Sequence, residues 1–227
     1  MLILYALRQL FAIAHENAAL SCQLSIINYQ LLSMNVLIIY CHPSRKSYTF
    51  QILEHLQGEL TRQKHVYKIS DLYAMNFQTD MTEQEYEREG FANYEYPIPD
   101  DVRNEHQKLD WADCVIFLYP VWWSDCPAKL KGWFDRVYSA GYAYKQTDHF
   151  PKMKSVKSGI VLCTAGHPND YLCETGIYKS MQTVMLDDRL GKRFENKEMI
   201  ILGGTLDIES VKEVHLSQVT NIVMKLG

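Results

Sequence analysis

Hydroxyl and cationic side chains crowd the stretch CHPSRKSYT, residues 41–49, where an apolar run ends and a helical pattern begins. The first N–H groups of a helix are free and carry a partial positive charge, so they bind phosphate well. The polar side chains that would join them are His42, Ser44, Arg45, Lys46, Ser47 and Thr49. The glycine patterns of a Walker loop and of a GxGxxG turn are absent from the sequence. Taken alone, a serine that only caps the helix explains this stretch better than a phosphate site does.

Two tryptophans, Trp122 and Trp123, stand in the stretch PVWWSDC, between an apolar run and the next helical pattern. Packing between helix and sheet explains Trp133 and Phe134, which fall inside the helical pattern. It explains Trp122 and Trp123 less well, because a loop at this place in a sheet protein faces ligands rather than the core. A planar heteroaromatic ring would cover the two indole rings.

Small residues dominate a third stretch, CTAGHPNDY, residues 163–171. Thr164, Ala165 and Gly166 would let a ligand approach the backbone N–H groups closely, and Tyr171 follows them. If the three stretches converge, they offer a phosphate site, an aromatic surface and a row of N–H donors. That combination suits a flavin.

Strands and helices alternate along the chain in the way that would bring these stretches together. Five apolar runs of strand length, typical of strands covered on both faces, span residues 35–40, 65–70, 114–119, 158–164 and 197–203. Segments with helical spacing span residues 48–63, 100–111, 127–139, about 170–188 and 209–225. Right-handed crossovers then predict an α/β fold with a doubly wound, five-stranded parallel sheet of order 2-1-3-4-5. Ligands of such a sheet bind at the carboxyl ends of strands one, three and four.

Residues 1–33 differ from the rest of the chain. They are apolar at first, but they lack a basic n-region, and Arg8, His15 and Glu16 interrupt the roughly 20 apolar residues that a spanning helix needs. Our hypothesis is that Met34 is the natural start, so that 1–33 are an extension outside the native fold and 34–227 form one flavin-binding domain. The alternative is an amphipathic helix that docks onto a membrane or a partner.

Composition excludes several other functions. The formal net charge of −4 over 227 residues, without runs of one sign, is unlike that of a nucleic-acid-binding protein. The six cysteines and eight histidines show no metal-ligand spacing. Buried free thiols in a reducing compartment explain the cysteines best, so we expect no metal and a cytoplasmic location.

Longer motifs carry a family resemblance. From Met34 to about Gly204 the chain resembles the NAD(P)H:quinone oxidoreductases of the flavodoxin-like superfamily, including the bacterial modulator of drug activity B and the potassium-efflux ancillary oxidoreductases. The stretches that carry it are IIYCHPSRKSYTF, SDLYAMNF, ADCVIFLYPVWWSDCPAKLKGWFDRVYSAGYAY and CTAGHPNDY. The third stretch is long and specific. The resemblance implies a flavodoxin-like fold that binds FAD, with FMN as the alternative.

Through this resemblance, three groups of residues match positions that contact the flavin. The pyrophosphate side is matched by His42, Ser47 and Tyr48. The loop beneath the isoalloxazine ring is matched by Pro120, Val121, Trp122, Trp123 and Ser124. The turn whose N–H groups meet the pyrimidine edge of the ring is matched by Thr164, Ala165 and Gly166.

Two tyrosines match residues that act in the family's reaction. Tyr171 matches a tyrosine that, in mammalian enzymes, helps to stabilise charge on the reduced flavin. In this chain the N–H groups of the turn that contains Gly166 would hold the same charge. Tyr144 matches an aromatic residue that lines the substrate pocket from the partner subunit of a dimer. The chain departs from the mammalian pattern at Tyr178 or its neighbour, in place of a histidine, and at Gln146, in place of a second pocket tyrosine.

The activity implied is a two-electron, ping-pong reaction. NADH or NADPH would pass a hydride to the flavin, and a quinone or similar acceptor would then take the hydride in the same pocket. An electron-carrying flavodoxin is one alternative, although such proteins are markedly acidic and this chain is only mildly so. A flavin-binding regulatory subunit of a potassium-efflux transporter is another, and the sequence does not separate it from a free enzyme.

Aromatic residues near the helical segment 127–139 predict a homodimer. Five fall within 12 residues: Trp133, Phe134, Tyr138, Tyr142 and Tyr144. A helix buries only one stripe against a sheet, so the others would be available to a second subunit. Isologous pairing would place Tyr144 of one chain beside the flavin of the other. Alternatively, Tyr142 and Tyr144 fold back over their own loop.

Overall fold

A parallel sheet organises the computed structural model, which describes residues 33–144 and 152–226. Within these residues its strands are β1 (Asn35–Tyr40), β2 (Val66–Asp71), β3 (Cys114–Pro120), β4 (Val156–Thr164) and β5 (Phe194–Leu202). Their order is β2-β1-β3-β4-β5, and every neighbouring pair is parallel. The predicted doubly wound sheet and its strand order are therefore confirmed.

Helices in the described residues are α1 (Tyr48–Arg62), α2 (Glu83–Phe91), α3 (Asp100–Trp111), α4 (Ala128–Val137), α5 (Asn169–Glu174), α6 (Ile177–Gln182) and α7 (Ile208–Met224). A π-helix, Thr183–Leu190, continues α6, and 3-10 turns span Gly191–Arg193 and Thr205–Asp207. The single helix predicted over 170–188 is wrong, because Gly176 adopts a left-handed conformation (φ 76°) that ends α5 and begins α6.

Apolar side chains pack against both faces of the sheet. On one face, Leu56 of α1 and Ile222 of α7 join the side chains of Val36 and Ile38. On the other, α3 and α4 cover the alternate residues of β1. Strands β1 and β3 are buried almost throughout, whereas β2 and the first half of β5 expose side chains because they lie at the edges. The prediction of two covered faces therefore holds for the central strands only.

Free cysteines occur as predicted at most positions. Cys41, Cys114, Cys126 and Cys163 are free and buried, but Cys173 is free and exposed. None of the helices in the two described segments is long and apolar enough to cross a membrane. Residues 1–32, on which the extension hypothesis rests, lie outside the described residues, as does Gln146.

Candidate functional site

The carboxyl ends of β1, β3 and β4 bring the three polar and aromatic stretches to one edge of the sheet. Pro120 pairs with Thr164 in the β3–β4 register, so the two strands end side by side. The N–H of Val121 donates to the Thr164 carbonyl oxygen at 2.8 Å. The Thr49 and Thr164 hydroxyl oxygens lie 2.8 Å apart and join the start of α1 to the end of β4. These bonds fix the three loops relative to one another.

The loop after β1 combines a helix cap with open backbone donors. The Ser47 hydroxyl accepts the Phe50 N–H at 3.1 Å, which confirms the capping interpretation of this serine. The N–H groups of Arg45, Tyr48 and Thr49 form no hydrogen bond with the residues that the structure describes. Backbone donors for a phosphate are therefore present beside the capped turn.

Side chains of this loop point in different directions. Arg45 is exposed, and its guanidinium carbon lies 5.9 Å from the centre of the Phe50 ring. His42 is half-buried, and its Nδ1 accepts the Ser44 N–H at 3.0 Å. Tyr48 is buried, and its hydroxyl lies 3.1 Å from Nδ1 of His215 in α7. Tyr48 can therefore offer its N–H group at this site but not its hydroxyl.

The loop after β3 forms a tight turn that displays a tryptophan. The N–H of Trp122 donates to the Asp125 carbonyl at 3.0 Å, and the N–H of Asp125 donates back at 3.2 Å. Trp123 and Ser124 occupy the two central positions with φ of 50° and 63°. These values define a two-residue turn with both central residues left-handed. The Trp123 side chain is fully exposed, while the rings of Trp122 and His42 form a T-shaped pair with 6.0 Å between their centres.

The loop after β4 supplies two further open donors. The N–H of Ala165 donates to the Leu202 carbonyl at 2.9 Å, so it is used within the chain. Gly166 and His167 follow, and their N–H groups make no hydrogen bond within the described segments. The available donors are thus those of Gly166 and His167 rather than the whole predicted turn. Tyr171, partly exposed, stacks on the His167 ring with 4.3 Å between ring centres.

A cleft of about 420 Å³ lies between the last two loops, within the usual size range of ligand sites. Predicted residues that line it are Val121, Trp123, Ser124, Ala165, Gly166 and Tyr171. Sequence reasoning missed four others, His167, Leu172, Ile177 and Leu206. His167 could have been found, because it directly follows Gly166. Leu206 could not, because the loop after β5 lies outside the three strand ends that the fold rule marks.

Tyr144 stands apart from this cleft. Its hydroxyl donates to Glu89 Oε2 at 2.9 Å, and 37% of its surface is exposed. Of the five aromatic residues near this segment, Trp133, Phe134 and Tyr142 are buried within the chain, and core packing was already expected for the first two. Fewer aromatic side chains are therefore left for a second subunit than the count of five suggests, and the homodimer stays a prediction.

Comparison with known proteins places the chain in a family. The family described as having a flavodoxin-like fold matches residues 34–209. The solved structure of an NAD(P)H:quinone oxidoreductase from Methanothermobacter marburgensis is 43% identical, with a TM-score of 0.79, and the match covers 86% of this chain and 97% of that one.

Two curated proteins give the same picture. An uncharacterised NAD(P)H oxidoreductase of Haemophilus influenzae is 34% identical over 68% of this chain and 75% of its own length. NAD(P)H dehydrogenase (quinone) 1 of Rattus norvegicus is 31% identical over 66% of this chain and 60% of its own length. The chain spans about half to two-thirds of the length of several such relatives. It belongs to the flavodoxin-like fold family, and its relatives there include NAD(P)H:quinone oxidoreductases.

Proposed function

We propose that this protein is a flavin-dependent NAD(P)H:quinone oxidoreductase. The observation that carries the proposal is the cleft at the carboxyl edge of the sheet, which is lined by Gly166 and His167, with open N–H groups, and by the exposed Trp123. A flat ring with a polar edge matches both groups. The named activity of the Methanothermobacter relative, which this chain matches almost end to end, supports the same assignment.

FAD is the proposed cofactor, with FMN as the alternative. The open N–H groups of Arg45, Tyr48 and Thr49 would bind phosphate oxygens, which both cofactors carry. The Arg45 side chain is exposed and would partly neutralise the phosphate charge. When bound, the flavin would supply the hydride chemistry, accepting a hydride from NADH or NADPH and passing it to a quinone.

The chain's own residues would position, shield and polarise the reacting groups. The N–H groups of Gly166 and His167 would donate to the polar edge of the ring and stabilise negative charge there, without reorganising during the reaction. The Tyr171 hydroxyl is proposed to assist them. Trp123 and Leu206 would exclude water from the two sides of the cleft.

A cofactor and turnover assay tests the proposal. Purified protein is expected to take up FAD or FMN and to sustain the oxidation of NADH or NADPH when a benzoquinone is present, with one quinone consumed for each nucleotide. Chromatography of the released flavin would decide between FAD and FMN. A protein that binds neither flavin and oxidises neither nucleotide would contradict the proposal.

A further inference from the structure

An ion pair lies behind the Trp122–Asp125 turn. Both oxygens of Asp125 accept hydrogen bonds from Arg189, at 2.8 Å from Nη1 and 3.0 Å from Nη2. The N–H of Cys126 donates to the same carboxylate at 2.7 Å. The Arg189 side chain is only 8% exposed, whereas that of Asp125 is 46% exposed. The carboxylate that ends the turn is therefore held in a bidentate pair on its inner side.

The turn itself is held in an unfavourable conformation. Left-handed φ angles at two successive residues favour glycine, asparagine or aspartate, and this turn has Trp123 and Ser124 instead. Its own two backbone hydrogen bonds close it, but they do not favour these side chains over others. A conformation of this kind persists when the surroundings impose it. The Arg189–Asp125 pair is a contact in the described structure that can do so.

Arg189 is itself well fixed. It belongs to the π-helix Thr183–Leu190, a rare element often found at functional sites. Its guanidinium carbon lies 5.4 Å from the centre of the Phe134 ring, and its Nη1 lies 3.0 Å from the Met185 sulfur. Arg193 donates to the Arg189 carbonyl oxygen at 2.9 Å. The cation is thus anchored to the core independently of Asp125.

We propose that Arg189 is a positioning residue that acts through Asp125 to hold the turn in the conformation that presents Trp123 to the ligand. Its relevance to the flavin rests on the proposed function, but the state of the turn can be observed without flavin. If the productive turn falls to a tenth of the molecules, the apparent dissociation constant of the ligand rises about tenfold.

Amide hydrogen exchange in the flavin-free protein tests directly whether the Arg189–Asp125 pair holds the turn. The variants are Arg189→Met, Arg189→Lys and Asp125→Asn, with Lys192→Met as the control because Lys192 is exposed and carries the same charge nearby. The Trp122 and Asp125 amides, which close the turn, are expected to exchange at least tenfold faster in Arg189→Met and Asp125→Asn. Arg189→Lys should rescue them only partly, because an ammonium cannot reproduce the bidentate fork. Unchanged exchange in both Arg189→Met and Asp125→Asn would overturn the proposal that the ion pair holds the turn.

A flavin titration on the same proteins tests its role in binding. We expect an FAD dissociation constant about tenfold higher in Asp125→Asn and Arg189→Met, and unchanged in Lys192→Met. The amide of Ile116, in the centre of β3, reports whether each variant is folded. Faster turn exchange with unaltered FAD affinity would overturn the positioning role. If the wild-type protein binds no flavin, the proposed function fails, while the exchange data still decide whether Arg189 holds the turn.

Discussion

Gly166 lines the cleft at a position where the packing of the fold does not require a glycine. A Cβ placed on it would lie 3.5 Å from Cγ of Leu206, an ordinary contact, and its φ is not left-handed. Gly159 in β4 contrasts with it. A Cβ there would lie 2.6 Å from the Phe194 ring and 2.7 Å from a Leu190 methyl, so a side chain would force these two residues to shift. Core packing therefore explains a glycine at position 159 but not at position 166, where the proposed flavin site would explain it.

Replacing each glycine by alanine separates these two roles. Gly166→Ala is expected to leave the free energy of unfolding within about 0.5 kcal/mol of wild type. It should weaken FAD binding severalfold, because its methyl group enters the cleft. Gly159→Ala should instead destabilise the protein by about 1–3 kcal/mol. Urea unfolding and flavin titration measure both effects. Wild-type FAD affinity in Gly166→Ala would contradict the placement of the ring beside this loop.

Replacing Trp123 also separates an effect on flavin binding from an effect on the stability of the fold. Its side chain is fully exposed, so Trp123→Ala should change the free energy of unfolding by no more than about 0.5 kcal/mol. Loss of stacking should weaken flavin binding by about 1 kcal/mol. Trp133→Ala provides the contrast, because that indole is completely buried and its loss should destabilise the fold by about 3–5 kcal/mol. Flavin fluorescence quenching that is identical in Trp123→Ala and wild type would place Trp123 elsewhere.

The residues of the site were predictable to different degrees. Trp123 and Gly166 stand directly after strands whose apolar runs are unmistakable, so the fold rule marks their loops. Asp125 follows β3, whereas Arg189 lies beyond β4 and α6, and neither local sequence predicts that the two residues form an ion pair. Arg189 also lies in a π-helix, whose i→i+5 hydrogen bonding the sequence pattern did not predict. Such contacts emerge only from tertiary packing.

At the scale of helices and strands, burial decides which elements can be predicted. The central strands are apolar throughout because both their faces are covered, and their bounds follow from sequence. Helix α2 was missed because its sequence, EQEYEREGF, lacks an apolar stripe. A capping box between Thr82 and Glu85 begins it, and the buried pair between Glu85 and Arg136 holds it in place. Charged contacts thus hold α2 in place, as apolar packing holds the neighbouring helices.

Helices α3 and α4 are joined by a buried histidine, His106, from which we expect a pH-dependent contribution to stability. Nε2 of His106 lies 2.8 Å from the Val137 carbonyl oxygen, and its ring stacks on Tyr142 with 3.7 Å between centres. Burial lowers the pKa of His106, more than its hydrogen bond to Val137 raises it. Because the pKa is lower in the folded than in the unfolded chain, the unfolded chain binds the proton first as pH falls. The stability that neutral His106 contributes is complete above about pH 6.5 and is lost as pH falls through the folded-state pKa.

Replacing His106 by glutamine should remove this part of the pH dependence. Between pH 7.5 and 5 the free energy of unfolding of the wild type should fall, with this histidine adding a slope of up to about 1.4 kcal/mol per pH unit. The pKa of each of three other histidines, His42, His65 and His215, is also lowered by burial and acts in the same direction. The informative quantity is therefore the difference in slope between His106→Gln and wild type. Parallel curves would show that His106 titrates alike in both states.

At the scale of the whole molecule, the exposed apolar surface bears on the predicted homodimer. Tyr86 and Phe91 of α2 are 57% and 71% exposed and form an edge-to-face pair with 5.6 Å between ring centres. The same helix carries Glu89, which accepts the hydroxyl hydrogen of Tyr144. The exposed aromatic pair therefore lies on the same short helix that binds Tyr144, the residue expected to complete a partner's pocket. A second copy that covers α2 would bury both.

Sedimentation at micromolar concentration is expected to give twice the mass of one chain. Phe91→Asp should shift the protein towards monomer, because it places a charge in the proposed interface. It should leave the free energy of unfolding nearly unchanged, since Phe91 is mostly exposed. Val214→Asp, at an exposed apolar position on α7, is the matched control and should stay dimeric. If Tyr144 completes the partner's pocket, the Phe91→Asp monomer should keep its flavin but lose most of its quinone turnover. A wild-type monomer with full quinone turnover would show that one chain completes the site alone.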